Sequence, residues 1–426
     1  MATDVLIVGS GGREHALAWK LRQSPRIGKL YIAPGNGGTR ELGENVPIAA
    51  TMVEKLADFA QLKSIDLTVV GPEDPLALGI VDVFQKRGLR IFGPSQAAAQ
   101  IESSKAFSKQ FMQEAGIPTA EFGVFTDYKK ALKYVREKGA PIVVKASGLA
   151  LGKGVYVCGT LPEAEAALKD IMYDQIFKDA GAQVVIEEFL DGPEVSIHAI
   201  SDGKDYKMFP SSQDHKAIGE GDTGKNTGGI GTIAPLPWIT PAVMAEIEEK
   251  VVKPTFVALA AYGVAFSGIL YPGLMISSKG IKVLEFNSRF GGPECESYMR
   301  LMKSDLLDLL EACVDGKLAK ISLEWNPGYA CNIVLCAQGY PDEYEKGFPI
   351  TGIEDANQIP GVVVFQAGTT YVDGIVKTSG GRVLGVSAVG DTLKEALKQA
   401  YKAIDLIHYE GKYFRRDIGT KSLSRS

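Results

Sequence analysis

The stretch LIVGSGGREHALAWKL, from Leu6 to Leu21, has the order of an apolar strand, a glycine-rich turn and a helix. A strand that turns at once into a helix restricts a chain to α/β folds in which helices cover a parallel sheet. The turn also aims backbone N–H groups at whatever lies at the helix N-terminus, a position suited to phosphate. The stretch therefore predicts an α/β domain with a phosphate site, and leaves open whether the ligand is a dinucleotide.

Strands and helices continue to alternate after this stretch. Strand-like runs lie at Leu30–Ala33, Leu67–Val70 and Arg90–Phe92, and helical patterns lie between them at Glu54–Lys63 and Leu76–Arg87. The alternation predicts an N-terminal doubly wound parallel sheet over residues 1–104. Ligands of such sheets bind beyond the carboxyl ends of the strands. The turns at those ends are Gly9–Gly12, Ala33–Gly38 and Val70–Pro75.

The pattern changes after Ser103, where short strands joined by tight turns predict a mainly antiparallel region over residues 105–317. The polar, glycine-rich stretch Gln213–Gly231 has no periodicity and is predicted to be a functional loop. The remaining residues, 318–426, are predicted to form a mainly β domain. The helices predicted beyond Ser103 are Ser104–Ala115, Pro241–Tyr262, Ser297–Asp315 and Leu393–Leu406.

Composition narrows the class of protein. The 426 residues carry a formal net charge of -5, which provides no basic surface for nucleic acid. No apolar run is long enough to span a bilayer, and no secretory leader is expected before the first strand. The five cysteines have no CxxC spacing and are odd in number, as expected for reduced thiols. We therefore expect a cytoplasmic protein that binds neither nucleic acid nor membrane.

The first turn lacks two features of a dinucleotide site. The sixth position of the G-x-G-x-x-G pattern is Glu14, and the second strand ends in Ala33–Gly35 without the acidic residue that holds a ribose. Arg13 adds a cation that suits a terminal phosphate better than a bridging pyrophosphate. A structural alternative remains, in which the glycines only allow a tight turn.

A second glycine-rich stretch, KASGLALGKGV (Lys145–Val155), runs from one strand to the next. It is not a Walker A loop, because the spacing after Gly148 is one residue short and Gly154 stands where Ser or Thr belongs. A glycine hairpin that covers phosphates is predicted instead, with Lys153 at its tip. Lys145 lies among apolar strand residues, where a lysine needs an anionic partner, either a phosphate or a core carboxylate.

Acidic residues also close an apolar strand in VVIEEFLDGPEVS (Val184–Ser196). Such a connecting segment can line adenine with its backbone while an acid takes the ribose hydroxyls. The alternative is a strand end whose acids are simply solvated.

The stretch KVLEFNSRF (Lys282–Phe290) is more informative, because strand side chains alternate between faces. The face predicted to be polar carries Val283, Glu285, Asn287 and Arg289. Neighbours on it are about 6.5–7 Å apart, so a carboxylate and an amide oxygen can hold one or two hard cations such as Mg²⁺. Arg289 beyond them can form a fork with a carboxylate. The alternative is a polar strand that faces solvent.

The histidines offer no metal cluster, and neither a Ser/His/Asp nor a Cys/His nucleophile arrangement is supported. His215 lies in the segment SSQDHK between an acid and a lysine. The chemistry is therefore expected to depend on charge neutralisation and positioning, as in phosphoryl transfer.

Taken together, these stretches resemble the phosphoribosylamine–glycine ligase family of the ATP-grasp superfamily, over essentially the whole chain. The most specific motifs are GGREHALAWK (11–20) and SQDHK (212–216) followed by DTGKNTGG (222–229). The remaining matching motifs are APGNGGT, VGPEDPL, IFGPS, SSKAFSKQFM, KASGLALGKGV, VIEEFLDGPE, LYPGLMI, EFNSRFGGPE, GGRVLGV and FRRDIG.

The resemblance implies a two-step reaction within purine biosynthesis. ATP phosphorylates the carboxylate of glycine, and the amine of 5-phosphoribosylamine then attacks the glycyl phosphate to give glycinamide ribonucleotide. ATP and Mg²⁺ or Mn²⁺ are implied, together with an ATP-grasp domain at 105–317 whose mobile lid covers about 122–190. No further protein partner is implied beyond a monomer or weak homodimer.

The resemblance also implies roles for individual residues. ATP is held by Lys105, Lys145, Gly148, Lys153, Gly154, Glu187, Phe189, Leu190 and Glu194. Glycine and phosphoribosylamine are held by Gly11, Gly12, Arg13, Gly71, Pro72, Glu73, Asp214, His215, Lys216, Thr227, Gly228, Gly229, Arg289 and Arg382. The metal is held by Glu285 and Asn287, and the catalytic set is Arg289, Lys145 and Asp214.

The chain departs from the family at three positions. Ser147 and Gly292 each stand where the family usually has Asp, and Ile230 replaces a Met. Gly292 removes a carboxylate near the metal and the substrates, but activity is expected because Glu285 and Asn287 are intact. The alternatives are another purine-pathway ATP-grasp enzyme that carboxylates or uses formate, a regulatory nucleotide-binding protein, and an oxidoreductase.

Overall fold

The structure is a computed structural model that describes residues 2–150 and 154–425. Along the chain, a parallel sheet is followed by a region with two antiparallel sheets and then by a third, mainly antiparallel region. The predicted α/β and α+β fold class is therefore confirmed.

The first region is a parallel sheet of five strands covered by helices. Its strands are β1 Thr3–Gly9, β2 Ile27–Pro34, β3 Glu44–Asn45, β4 Leu67–Val70 and β5 Ile91–Phe92. Its helices are α1 Gly12–Leu21, α2 Val53–Leu62, α3 Glu73–Ala77, α4 Ile80–Lys86 and α5 Gln96–Ser103. The strand order is β3-β2-β1-β4-β5, so β1 is central and Val5 pairs with both Leu30 and Leu67. The strands predicted from the sequence are confirmed.

The helix predicted at Leu76–Arg87 is instead two helices, α3 and α4. Gly79 lies between them with φ of +79°. This left-handed conformation favours glycine and redirects the chain after α3. Apolar residues continue at helical spacing on both sides, so periodicity alone does not reveal the break.

The middle region begins with a four-stranded antiparallel sheet that has its own core. Its elements are α6 Lys105–Glu114, β6 Phe122–Phe125, α7 Tyr128–Lys138, β7 Ile142–Ala146, β8 Val155–Cys158, α8 Leu161–Leu168 and β9 Val184–Glu188. The strand order is β6-β9-β7-β8. Val144 and Val184 of this sheet share an apolar cluster with Ala164 of α8. The stretch predicted to be a lid therefore has an apolar cluster distinct from that of the neighbouring sheets.

The second part of the middle region carries most of the remaining site elements. They are β10 Glu194–Ser196, β11 Ala199–Asp202, β12 Tyr206–Met208, β13 Gln213–Asp214, β14 Ala217–Gly219, β15 Thr223–Asn226, β16 Gly231–Ala234, α9 Pro241–Ile247, α10 Lys253–Ala261, β17 Ser267–Ser277, β18 Gly280–Asn287, α11 Glu294–Leu301 and α12 Leu306–Val314. The strand β17 pairs with β10, β11 and β18. The loop predicted at Gln213–Gly231 is partly ordered as the hairpin β14–β15.

Two of the predicted helices differ in continuity. Pro241–Tyr262 is helical almost throughout, because a π-helical turn at Glu248–Val252 joins α9 to α10. The helix predicted at Ser297–Asp315 is interrupted instead. Met302 is extended, and Asp305 then caps α12 by accepting a hydrogen bond from the Leu307 N–H at 2.8 Å.

The last region completes a sheet that the middle region begins. Its elements are β19 Tyr329–Ala337, α13 Ile353–Asn357, β20 Val362–Gln366, β21 Thr369–Val372, β22 Ile375–Thr378, β23 Arg382–Gly390, α14 Leu393–Ile404, β24 Lys412–Tyr413 and α15 Thr420–Leu423. The six-stranded sheet has the order β13-β16-β19-β23-β20, with β24 beside β19. The predicted late helix is confirmed as α14.

Apolar packing joins the regions around one central cluster. Leu17 of α1, Met299 of α11 and Phe365 of β20 are fully buried in it. All five cysteines lie within the described residues and are free, buried thiols. In the part of the chain that the structure describes, no helix combines the length and apolar character needed to cross a membrane.

Candidate active site

A cavity of about 870 Å³ lies where the three regions meet. The predicted site residues that line it are Gly11, Gly12, Arg13, Pro72, Glu73, Lys105, Lys145, Gly154, Glu187, Phe189, Leu190, Glu194, Asp214, Lys216, Thr227, Gly228, Glu285, Asn287, Arg289 and Arg382. Four others are chain neighbours of lining residues, namely Gly71, Gly148, His215 and Gly229. Lys153 lies outside the described residues. Residues far apart in sequence thus share one cavity.

One carboxylate bridges two buried lysines in the nucleotide part of the cavity. Glu187 Oε1 is 2.9 Å from Lys145 Nζ, and its Oε2 is 2.9 Å from Lys109 Nζ. Lys109 also donates to Thr119 Oγ1 at 2.7 Å. Burial lowers the pKa of Lys109 to about 8, although Glu187 opposes this shift. Lys145 therefore has the carboxylate partner that was one interpretation of its position, and it also faces the cavity, where the phosphate interpretation stays a prediction.

Lys109 is a cavity residue that the sequence interpretation missed. It follows Lys105 by four positions on α6, so the two side chains lie on one helix face. That spacing was a usable signal. Lys105 donates to the Gly148 carbonyl at 3.3 Å, and burial lowers its pKa.

Ser147 connects α6 to the start of the glycine loop. Its hydroxyl accepts a hydrogen bond from the Ala106 N–H at 3.1 Å, and its carbonyl accepts one from the Lys105 N–H at 2.8 Å. The serine therefore supplies a short local contact at this departure from the family pattern.

A second lysine–carboxylate group joins the floor of the cavity to the loop at 213–229. Lys216 Nζ is 2.6 Å from Glu194 Oε1 and 3.0 Å from Glu285 Oε1. Lys216 is the main cause of a strongly lowered pKa of Glu285, with help from Lys145 and Lys105 against burial. Glu285 is thus held ionised, as a metal-ligating carboxylate must be.

The strand β18 departs from strict alternation. Its ladder with β17 shifts register between Val283 and Glu285, so Leu284 is an extra residue. Leu284 consequently lines the cavity, whereas Val283 is fully buried in a core cluster with Phe286. The prediction that Val283 shares the polar face is wrong for this reason, while Glu285 and Asn287 both line the cavity.

Arg289 is the centre of a preformed acidic cluster. Its guanidinium lies 3.3 Å from Glu73 Oε2, 3.0 Å from Glu102 Oε1 and 3.0 Å from Asn287 Oδ1. Burial would lower the pKa of Arg289, but Glu102 and Glu73 outweigh it and raise the pKa. The reciprocal charge of Arg289 lowers the pKa of Glu73 against burial. Glu102, at the end of α5, was not foreseen from the sequence.

Asp214 faces the cavity beside another acid, Glu294. Burial and the nearby Glu294 carboxylate raise the pKa of Asp214 well above its usual value. Tyr271 Oη donates to Glu294, and Ser196 Oγ donates to the same oxygen at 3.0 Å. Two acids and a phenol thus share a site that favours the protonated form of Asp214.

His215 points away from the cavity although its neighbours line it. Its Nδ1 lies 2.9 Å from the Gly231 carbonyl, and its Nε2 accepts a hydrogen bond from the Gly419 N–H at 3.1 Å. Burial lowers its pKa to about 4, which keeps the ring neutral. The structure therefore gives His215 a supporting position rather than the substrate contact that the resemblance implied.

Gly419 belongs to a segment, Tyr413–Ser422, that we call the strap. Ser422 Oγ donates to Gln213 Oε1 at 2.8 Å, and Arg415 donates to the Ala217 carbonyl at 3.0 Å. At the start of the loop, Gln213, His215 and Ala217 thus contact the strap, while Asp214 and Lys216 line the cavity. The strand-like alternation of this loop explains the position of His215.

The glycine turn at the start of α1 is fixed by Glu14. Glu14 accepts hydrogen bonds from the Gly11 N–H at 2.5 Å and from Arg13 Nε at 2.6 Å. Arg13 also donates to the Phe290 carbonyl at 3.1 Å. A side chain at Gly71 would collide with Glu14. The residue that replaces the sixth glycine therefore has a structural role, and the N–H groups of Gly12 and Arg13 begin the helix without intrahelical partners.

Arg382 draws two loops together on the opposite wall. It donates to the carbonyls of Gly228, Gly229 and Gly292, the last at 2.7 Å. Its guanidinium is therefore positioned by backbone groups. Ile230, beside these glycines, is fully buried against Val334 and Cys336, which suits an apolar replacement.

The donor groups of the cavity decide which kind of metal ion it can hold. Among the described residues, no three His, Cys, Asp or Glu side chains are grouped to hold a metal ion. Glu285 and Asn287 nevertheless provide the carboxylate and amide oxygens that Mg²⁺ accepts when phosphate oxygens complete its shell. The residues fit a metal that arrives with a polyphosphate.

Comparisons with known families match each region in turn. The N domain of phosphoribosylglycinamide synthetase matches residues 3–102, its ATP-grasp (A) domain matches 103–295, and its C domain matches 330–421. Together these matches cover most of the chain.

Individual proteins are similar over the full length. The phosphoribosylamine–glycine ligases of Pasteurella multocida and Haemophilus influenzae are 51% and 50% identical, and each match covers 99% of this chain and 99% of the relative. The crystal structure of the phosphoribosylamine–glycine ligase of Thermotoga maritima is 35% identical with a TM-score of 0.84. That match covers 97% of this chain and 100% of the solved chain.

Proposed function

The chain belongs to the phosphoribosylglycinamide synthetase family, and from this premise we propose that it ligates glycine to 5-phosphoribosylamine with ATP. The reaction gives glycinamide ribonucleotide, ADP and phosphate and is a step of purine biosynthesis. The full-length relatives support this function over a carboxylating or formate-using enzyme.

The observation that carries the proposal is the single cavity that joins two kinds of anion site. At one end, lysines converge beside the glycine loop and the Phe189–Leu190 segment. At the other end, the turn Gly11–Arg13 begins a helix whose N–H groups suit a phosphate. Arg289 lies in the same cavity as both. A ligase that transfers phosphate to a carboxylate needs this continuity, because its two substrates must meet.

The nucleotide end holds ATP through lysines and a connecting segment. Lys105 and Lys145 hold phosphates beside Gly148 and Gly154. Phe189 and Leu190 line the adenine, the backbone of Glu187 continues that segment, and Glu194 takes the ribose hydroxyls. Glu285 and Asn287 would hold Mg²⁺, which would supply positive charge to screen the triphosphate from the glycine carboxylate.

Arg289 orients glycine for the first step. A guanidinium forms two parallel hydrogen bonds with a carboxylate, so Arg289 exchanges part of its present acidic contacts for the substrate. Asp214 and Lys216 then face the reacting carbonyl group from the loop. The intermediate of this step, glycyl phosphate, is sensitive to water, so the site must exclude water while the intermediate forms.

The acceptor end holds the phosphoribosyl group. Gly11, Gly12 and Arg13 receive its phosphate together with the Gly71–Glu73 turn, while Thr227–Gly229 and Arg382 enclose the sugar. The amine then attacks the glycyl carbonyl, the carbon–nitrogen bond forms, and phosphate leaves. The missing sixth glycine agrees with this role, because Glu14 in its place fills the space beside Gly9 and Gly71 that a dinucleotide turn would leave open.

The direct test is product formation from labelled glycine, ATP and Mg²⁺, with and without phosphoribosylamine. We expect glycine-dependent ADP release and labelled glycinamide ribonucleotide only when phosphoribosylamine is present. A requirement for formate or bicarbonate in place of glycine would overturn the proposal in favour of the related enzymes.

The proposal extends to the compartment and the oligomeric state of the enzyme. We place the reaction in the cytoplasm, where buried cysteines remain reduced. One chain lines the whole cavity, so a monomer or weak homodimer suffices. Sedimentation of the purified protein at micromolar concentration tests the second statement.

A further inference from the structure

A carboxyl group with no assigned role lies beside the glycine turn. Glu296, in the first turn of α11, lines the cavity and is only 5% exposed. A Cβ added to Gly12 would lie 2.5 Å from Glu296 Oε1, so this oxygen rests against the turn. Glu296 therefore reaches the corner where the helix α1 begins.

This carboxyl group is not neutralised by a neighbouring cation. Its Oε2 is buried and has no hydrogen-bond partner among the described residues. Arg13, the nearest cation on α1, is engaged with Glu14 and the Phe290 carbonyl. Arg382 is engaged with the three backbone carbonyls described above. An oxygen of Glu296 is thus left without a protein partner.

The charged surroundings of Glu296 come from several elements. The titratable groups that face it are Arg13 and Glu14 of α1, Cys295 of α11 and Arg382 of β23. Burial raises the pKa of Glu296 to about 7, reinforced by Glu14 and opposed by Arg382 and Arg13. Near neutral pH this group is therefore able to hold a proton.

A substrate phosphate in this corner changes which state of Glu296 is useful. A phosphate dianion offers only acceptor oxygens, and it repels a second buried anion. An ionised Glu296 would therefore oppose binding, whereas a protonated carboxyl group donates a hydrogen bond to a phosphate oxygen. The N–H groups at the start of α1 supply further donors from the other side.

We propose that Glu296 binds the phosphate of the phosphoribosyl substrate in its protonated form, so that binding takes up one proton. The proton passes from solvent to the Glu296 carboxylate, and no covalent bond changes. The inference rests on the proposed function for the identity of the substrate. It adds a specificity residue to that function and a dependence of substrate affinity on pH.

The test measures binding of ribose 5-phosphate, a stable probe with the same phosphate group, by calorimetry between pH 7.5 and 9. Phosphate monoesters have a second pKa near 6, so the probe is a dianion throughout this range. We expect the Kd of the unmodified protein to rise by about tenfold per pH unit above pH 8, because one proton is taken up. Buffers with different ionisation enthalpies count that proton directly.

Glu296→Gln separates the two states of the side chain. Its amide is permanently neutral and keeps a donor, so we expect the variant to bind the probe with a Kd that is flat from pH 7.5 to 9. The matched control Glu354→Gln removes a carboxylate at the exposed start of α13 and should keep the slope. The midpoint of thermal unfolding of each variant reports that it folds.

Three outcomes overturn the inference. The first is a pH slope that persists in Glu296→Gln, and the second is loss of probe binding in this folded variant, which would show that the ionised group is needed. The third is an unmodified protein that forms product yet does not bind the probe. In all three cases the ligase function stands, whereas failure to form any product overturns the function itself.

Discussion

The two ends of the cavity carry different kinds of cationic side chain. The lysine end contains Lys105, Lys109, Lys145 and Lys216. The arginine end contains Arg13, Arg289 and Arg382. Three of the lysines pair with carboxylates of the cavity itself, namely Glu187, Glu194 and Glu285. Arg382 is held by backbone carbonyls, and Arg13 is held by the Glu14 carboxylate and the Phe290 carbonyl.

This difference separates a site that must exchange partners from a site that is already arranged. A lysine ammonium is a compact charge on a flexible stem, so Lys145 can leave Glu187 for a phosphate. An arginine fork fixed by backbone groups keeps one direction and loses little freedom when a ligand arrives. The lysine end therefore suits a triphosphate that changes during the reaction, and the arginine end suits groups that must only be oriented.

The largest effect on this comparison is expected from a substitution of Arg289. Replacement by lysine keeps the positive charge but removes the fork, so we expect kcat/KM for glycine to fall by about 10²–10³. The KM for ATP should change little, because the nucleotide end is intact. Steady-state kinetics with glycine and ATP varied in turn measures both values.

The matched control is Arg26→Lys, which alters an exposed ion-paired arginine outside the cavity. It should leave both constants unchanged. If Arg289→Lys retained the activity of the unmodified protein, charge alone would suffice and the two ends would not differ in the way described.

The two ends also differ in how they respond to pH. Glu285 at the lysine end has a lowered pKa because of Lys216, so its contribution to stability is lost as pH falls. Glu296 at the arginine end has a pKa raised from 4.5 to about 7, so its contribution is present below pH 4.5 and is lost as pH rises through 7. We expect the free energy of unfolding of Glu296→Gln, relative to the unmodified protein, to increase by about 3 kcal/mol across this interval.

Urea unfolding at pH 5, 6, 7 and 8 measures this difference. The exposed-site variant Glu354→Gln should show no such trend. A difference that does not vary with pH would mean that Glu296 is ionised in the folded protein throughout, and would remove the contrast with Glu285.

A smaller effect is expected from one lysine. Lys145→Met removes a charged hydrogen-bond donor to ATP and leaves Glu187 paired with Lys109 alone. We expect the KM for ATP to rise by about 30-fold, equivalent to about 2 kcal/mol. The remaining lysines share the phosphate charge, so the loss should be smaller than at Arg289.

ATP binding by calorimetry checks this value without the second substrate. The exposed Lys133→Met serves as the control. A rise in the KM for ATP of Lys145→Met that exceeds the fall in kcat/KM for glycine of Arg289→Lys would reverse the proposed division between exchangeable and fixed cations.

The smallest effect is expected where the strap supports the loop between the ends. Ser422→Ala removes the hydrogen bond to Gln213, next to Asp214, and also the one that Ser422 Oγ accepts from Trp238 Nε1. It should raise the KM for glycine about threefold through loss of the contact to Gln213. Ser424→Ala removes only a contact to the Lys421 carbonyl and should have no effect. Equal KM values for the two variants would show that the strap does not position the loop.

Much of the fold could be predicted because local patterns and tertiary packing agree. The strands and helices that alternate in the first region and the late helix α14 have periods that only one arrangement satisfies. Candidate phosphate-binding residues could also be predicted from the sequence, since a glycine turn before a helix and a lysine on an apolar strand are both typical of anion sites.

The unpredicted features depend on single residues whose effect is decided by their surroundings. The extra residue Leu284 changes the face of Val283, and Gly79 divides a helix without disturbing the apolar spacing. Likewise, the direction of the His215 side chain depends on the strap, which lies far away in sequence. Long-range contacts of this kind leave no local pattern to read.

The strap also makes the geometry of the loop depend on residues that lie far along the chain. Every residue that we assign to a substrate precedes Tyr413. The contacts that hold Ala217, His215 and Gln213 come from Arg415, Gly419 and Ser422, which follow all of those residues. A variant truncated before Tyr413 would therefore keep the proposed site residues and lose the contacts that hold the loop of Asp214 and Lys216.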